Sequence, residues 1–177
     1  MLKLYNKQAK VIYQTKRGQP IHQWSDKQVD LPLYLKEPFI RNENMALLEG
    51  RFRYFDAGHI ENTNFYQSCL DGTTWSECYI DRTNFSRVDL NNAYVYKGNL
   101  HNLDFALCSM RAIHFAESEL LSLDFTLADL RGAEFEFKEE EQIKDFIQTS
   151  CFNHACLMGC TINNESIEEV IRKYKGN

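Results

Sequence analysis

Residues 101–135 read HNLDFALCSMRAIHFAESELLSLDFTLADLRGAEF. Every fifth residue in this stretch is large and apolar: Phe105, Met110, Phe115, Leu120, Phe125, Leu130 and Phe135. Traced backwards, the same phase gives Leu100, Val95, Leu90, Phe85, Ile80, Trp75, Leu70, Phe65, Ile60 and Phe55. With 44% of the residues apolar, an unbroken series of this length arises by chance on the order of once in a million at a chosen phase. A period of five suits neither an amphipathic helix nor a half-buried strand, whose periods are about 3.6 and 2.

Two residues before each centre the side chains are mostly small and none is charged: Gly58, Thr63, Ser68, Thr73, Cys78, Thr83, Val88, Ala93, Gly98, Leu103, Cys108, Ile113, Ser118, Leu123, Ala128 and Ala133. Arg53, at the edge of the series, breaks this rule. A second inward position with less room than the first follows. A longer period lies over the short one. Thr63-Asn64-Phe65 recurs as Thr83-Asn84-Phe85, and Leu103-Asp104-Phe105 as Leu123-Asp124-Phe125. Four sides of five residues make a square coil. Coils stack by backbone pairing at about 4.8 Å. The Asn64, Asn84, Asp104, Asp124 column then reads as side-chain hydrogen bonding at the corners, or else as part of an acidic binding face.

Ala128-Asp129-Leu130-Arg131-Gly132 and Ala133-Glu134-Phe135 resemble the pentapeptide-repeat pattern, with Gly98-Asn99-Leu100 and Ala93-Tyr94-Val95 as looser matches. The resemblance implies an all-β fold, a right-handed quadrilateral β-helix. The expected organisation is an N-terminal cap over residues 1–47 and the repeat coil over 48–137. A helical insertion over 138–149, a last coil over 150–163 and a C-terminal helix over 164–177 complete it. All three prolines, Pro20, Pro32 and Pro38, precede residue 39, as a stack of paired strands requires. In the cap, Lys10–Thr15 and Pro20–Trp24 read as short strands around Arg17-Gly18. Beyond Phe135, Ile143, Phe146 and Ile147 share a helical face. Phe152, Leu157 and Ile162 resume the period of five. Ser166-Ile167-Glu168-Glu169 reads as a capping box. The helix it opens has an apolar stripe of Ile167, Val170, Ile171 and Tyr174, which serves either as an end cap or as a homodimer contact.

The length of 177 residues suffices for one domain with a sizeable core. No apolar run approaches the ~20 residues of a membrane span. The opening MLKLYNKQAK lacks a signal-peptide core, so a cytoplasmic protein with its six cysteines as free thiols is expected. The net charge of −5 argues against direct binding of nucleic acid through phosphate neutralisation. Cys151, His154, Cys156 and Cys160 have the residue types of a zinc site. The repeat frame, however, puts Cys151 and Cys156 on adjacent faces and turns Cys160 inward. His59 and His101 share a face two coils apart, and His114 lies on another. No nucleophile has a base beside it and no phosphate loop is present. No catalytic site, metal or cofactor is therefore expected.

What remains is a protein-binding module or scaffold, and two surfaces stand out. Leu107 and Leu127 take the same outward position in consecutive coils, with Leu121 just round the corner. Such a cluster is expected to be covered by the chain's own flank or by a partner. Asp56, Glu77, Glu117 and Glu134 make the most acidic face, which also carries Lys97. Some pentapeptide-repeat proteins mimic DNA and bind DNA gyrase, so modulation of such an enzyme is the alternative. Residues 51–135 carry a net charge of only −5, whereas roughly 20 Å of duplex shows ~12 phosphates.

Overall fold

The structure, a computed structural model, describes residues 3–6, 11–14 and 34–176. Each five-residue unit is one side of a four-sided coil, and each coil pairs in register with the next. On the first face, β3 (Tyr34–Lys36), β5 (Tyr54–Asp56), β7 (Thr74–Ser76), β9 (Tyr94–Tyr96), β11 (His114–Ala116), β13 (Glu134–Glu136) and β14 (Thr161–Ile162) form a parallel ladder. On the second, β4 (Pro38–Arg41), β6 (His59–Glu61), β8 (Tyr79–Asp81), β10 (Asn99–His101) and β12 (Glu119–Leu121) do the same. The third and fourth faces are held by single bridges, such as Asn64↔Asn84↔Asp104↔Asp124 and Cys69↔Asp89↔Ser109↔Asp129. Backbone N–H groups reach across coils throughout. Those of Phe65, Phe85 and Phe105 donate to the carbonyls of Asn84, Asp104 and Asp124, each at 2.8 Å.

The side chains at the series centres fill the lumen. Phe65, Phe85, Phe105, Phe125 and Phe152 stack in one column with centroids 5.1 to 5.4 Å apart. In the first-face column Phe55 lies flat on Trp75 at 4.0 Å and Phe115 on Phe135 at 5.0 Å, with Val95 between the two pairs. A cavity of about 20 Å³ opens there, lined by Trp75, Val95, Phe105 and Phe115 among others. The small column hydrogen-bonds where it is polar. Thr63 and Thr83 hydroxyls donate to the carbonyls of Glu61 and Asp81, and the Ser118 hydroxyl to that of Ala116. Arg53 heads the first-face small column. Its guanidinium donates to the Arg51 carbonyl at 2.9 Å, and its Nε is buried without a partner among the described residues.

Each coil turns its corners by one residue in the left-handed region. From Glu37 to Gly132, every fifth residue has φ between 46° and 66°. Most of these are not glycine, so the stacked ladder overrides a local preference worth about 1–2 kcal/mol per residue. At Gly72, φ +63°, a Cβ would lie 2.5 Å from the exposed Phe52 ring, which would have to turn away to admit it.

The coil starts earlier than the sequence suggests. Ladder pairing runs back to Tyr34, and Leu35, Ile40, Met45 and Leu48 are in the core. The cap boundary expected at residue 47 therefore moves back to Tyr34 or earlier. Gly50 disguises this, because it leaves a series centre empty. Leu48, two residues earlier, fills the space, and a Cβ on Gly50 would meet Leu70 Cδ2 at 2.9 Å. Pro38 sits inside the coil as the first residue of β4, where the ladder tolerates it. In the flank, β2 (Val11–Gln14) falls within the strand expected over 10–15. The strand expected over Pro20–Trp24 lies outside the described residues. The unforeseen β1 (Lys3–Asn6) pairs antiparallel with β2 and with β4.

At the other end α1 (Glu140–Thr149) is the helical insertion. It takes the place of a second-face strand and packs on β12, where the Ser122 N–H donates to Thr149 Oγ1. The ladder resumes seven residues late, with Asp124 bridged to Cys151 and Asp129 to Cys156. β14 turns back antiparallel through β15 (Glu165–Ser166) into α2 (Ile167–Lys175). The apolar stripe of α2 is spent within the chain: Ile167 and Val170 are buried, and Ile171 and Tyr174 pack partly against the core. The stripe thus works as the expected end cap, and of Ile167, Val170, Ile171 and Tyr174 only Ile171 and Tyr174 keep exposed surface for a homodimer contact. Ser166 does precede the helix, but its hydroxyl bonds the Glu168 side chain at 2.7 Å instead of forming the expected box.

Candidate interaction surfaces

The rigid ladder fixes what each face shows to solvent. One residue before each first-face centre stand Tyr34, Tyr54, Thr74, Tyr94, His114 and Glu134, all in register. Tyr34 and Tyr54 stack at 5.3 Å, and the Tyr34 hydroxyl donates to Asp56 Oδ2 at 2.5 Å. That bond holds the proton and pushes the Tyr34 phenol up to about 12. Tyr94 stands edge-on to His114 at 5.1 Å, and the Lys97 ammonium lies 4.8 Å above the Tyr96 ring. Tyr34, Tyr54 and Tyr94 remain 51%, 37% and 36% exposed.

The four acidic residues singled out from sequence share this face, but they do not form a stripe. Asp56 accepts from Tyr34. Lys97 lies between Glu77 and Glu117 in one corner column. Lys138 bonds Glu117 at 2.7 Å, and this bond lowers the Glu117 carboxyl below its ordinary value. Glu134 lies 3.9 Å from the His114 ring. On the second face Phe39, His59 and Tyr79 stack in turn, and the buried Glu61 is ringed by Arg41, His59 and Arg82. The fourth face carries Arg111 and Arg131 clasping Asp129 at 2.6 and 2.7 Å.

The leucine cluster separates. Leu107 and Leu127 are corner residues between the third and fourth faces, 43% and 52% exposed. Leu121 belongs to β12 on the second face, half-buried where α1 packs. The whole third face lies between them, because the corner falls two residues after a centre and Leu121 is only one after. The expected single patch of three is thus a pair, which no described residue of the flank covers. The Asn64, Asn84, Asp104, Asp124 column serves the backbone. Each side-chain Oδ1 accepts the N–H two residues on, at 2.7 to 3.0 Å.

The cysteines lie where the frame puts them: Cys151 in the third-face ladder, Cys156 in the fourth, Cys160 inward. Burial pushes the Cys108 and Cys160 thiols up to about 12, away from nucleophilic use. The tyrosine ladder escaped the sequence reading, although stepping back one residue from Phe55 and Val95 finds it. A cluster of His114, Glu134 and Glu136 was likewise not singled out as a group.

A family model for pentapeptide repeats matches residues 60–94, in 8 copies. No curated protein sequence matches the chain. Among solved structures, the chain is similar to full-length QnrB1, a plasmid-mediated fluoroquinolone resistance protein. The identity is 13% over 81% of this chain and 90% of that one, with a TM-score of 0.42. It is similar also to the pentapeptide repeat protein Rfr23 from the cyanobacterium Cyanothece 51142, at 18% identity over 75% and 84% of the two chains, TM-score 0.33. A third is HetL of Nostoc sp. strain PCC 7120, a pentapeptide repeat protein involved in heterocyst differentiation regulation, at 13% over 78% and 91%, TM-score 0.29. Residues 60–94 are therefore pentapeptide repeats, and the four-sided coil they belong to is the pentapeptide-repeat β-helix fold.

Proposed function

We propose that the chain is a non-enzymatic protein-binding scaffold, acting in the cytoplasm, whose binding surface is the first face. The observation that carries this is the register of exposed Tyr34, Tyr54 and Tyr94 on a sheet that cannot move, beside Asp56, Glu77, Glu117 and Glu134. Tyrosines held rigid bind with little loss of side-chain freedom and are favoured at interface hot spots. The acidic neighbours suit a partner segment bearing Lys or Arg, which would also stack on the rings. The raised thiols of the buried Cys108 and Cys160 suit a binding role. No described helix is long and apolar enough to cross a membrane.

The test is to identify a partner on immobilised protein and then measure its Kd for three chains. A Tyr54→Ser/Tyr94→Ser variant should bind at least tenfold more weakly than the parent. A Leu107→Ser/Leu127→Ser variant should bind as the parent does. The opposite ranking would transfer the interface to the leucine corner and end the first-face reading. The rival reading, a DNA-mimicking modulator of DNA gyrase, needs an unbroken negative stripe, which Lys97 and Lys138 interrupt. Purified protein should leave gyrase supercoiling unchanged at sub-micromolar concentration. Inhibition there would promote the rival.

A further inference from the structure

At the C-terminal end of the first face, β11 and β13 place His114 directly beside Glu134. Glu136, two residues on, points to the same side of the strand. His114 Nε2 lies 3.4 Å from Glu136 Oε2, and Nδ1 lies 3.9 Å from Glu134 Oε2. Ligand atoms from all three residues fall within 4.8 Å of one another. The ring is held edge-on by Tyr94. Its Nε2 is shut off from solvent and has no hydrogen-bond partner among the described residues, although a carboxylate stands beside it.

We propose that His114, Glu134 and Glu136 form a surface site for a divalent transition metal, with zinc as the ion. An imidazole nitrogen and a carboxylate oxygen each bind zinc at about 2.0–2.1 Å. Two such bonds spanning the 3.4 Å between His114 Nε2 and Glu136 Oε2 meet at an angle of about 110°, close to the tetrahedral value zinc adopts. Glu134, 59% exposed, has a ligand atom within 4.8 Å of those of the other two residues and would swing its carboxylate onto the ion as the third ligand; water completes the set. One imidazole with two carboxylates is a borderline donor set, suited to zinc above magnesium or calcium. Two carboxylates on one strand repel each other, and a dication between them removes that cost. His101 provides an internal contrast: its Nε2 is also unpartnered and lies 3.3 Å from Glu119, but it faces that single carboxylate. The inference does not depend on the protein-binding reading of the same face.

The experiment strips the full chain with EDTA, dialyses it against zinc and counts bound metal. The parent should retain one zinc per chain and show a higher Tm with zinc than without. His114→Gln and Glu136→Gln should each lose the retained zinc and the Tm shift. Both side chains reach solvent, and circular dichroism checks that the coil is intact; Glu136→Gln alone decides if His114→Gln unfolds. Cys151→Ser/Cys156→Ser and Glu119→Gln should retain the metal. Cobalt in place of zinc should show no thiolate charge-transfer band. Failure of the parent to retain zinc overturns the proposal. So does retention that survives Glu136→Gln and disappears with the cysteine pair.

Discussion

Two columns of the lumen differ at one level. The third-face column is phenylalanine at every coil from Phe65 to Phe125, each ring resting on the next. The first-face column has the same geometry above and below but holds Val95 in the middle, and a void of about 20 Å³ appears beside it. A solenoid's stability is approximately a sum of contacts between neighbouring repeats. One small residue therefore weakens one level without disturbing the register of the rest. The difference shows that register is set by the backbone ladder, whereas packing quality is set column by column.

Breaking the good column should have the largest effect. Phe105→Ala removes a ring stacked on both sides and should cost ~3–5 kcal/mol, read by chemical denaturation. Mending the poor column comes next. Val95→Phe should fill the void and raise stability by about 1 kcal/mol, a gain of a few degrees in Tm. A loss there would mean that the void is too narrow for a ring.

The outer columns should matter less. Arg131, and then Arg111, hold the Asp129 carboxyl well below the usual carboxylate range. A depressed folded value stabilises the fold above the unfolded value of about 3.9 and loses that contribution as pH falls toward the folded one. Asp129→Asn should thus cost about 0.5–1 kcal/mol at neutral pH. Its Tm should also fall less steeply than the parent's below about pH 4. Smallest of all, Leu107→Ser/Leu127→Ser should leave Tm unchanged within error, since neither side chain is buried.

Much of this was legible in the sequence because a period of five has one explanation. Phe55 to Phe135 gave the coil, the small column gave the tight second position, and the seven-residue delay before Phe152 gave the insertion. The start of the coil was not legible. Gly50 leaves a centre empty and Leu48 fills it from the neighbouring column, a trade visible only in three dimensions. The periodicity also could not say that α1 replaces a second-face strand, because the frame counts residues and not the path between them. On the surface, the frame placed Asp56, Glu77, Glu117 and Glu134 on one face. It could not reveal that Tyr34 and Lys138 engage two of them, which depends on side-chain reach across coils. The misplacing of Leu121 had a simpler origin: it lies six residues before Leu127, more than one full side of the coil away.

The corners have a consequence for which mutations the chain can absorb. A left-handed corner excludes proline and strongly disfavours branching at Cβ. From Glu37 to Gly132, no Val, Ile, Thr or Pro stands at any corner, while Glu, Asn, Arg, Leu, Gln, Lys, Ser, Ala and even Phe all do. Every fifth letter is therefore open to charge, size and polarity but closed to one kind of carbon skeleton. In a library of random substitutions, survivors should be depleted of those four residues at this spacing, which would trace the coil from sequence variation alone.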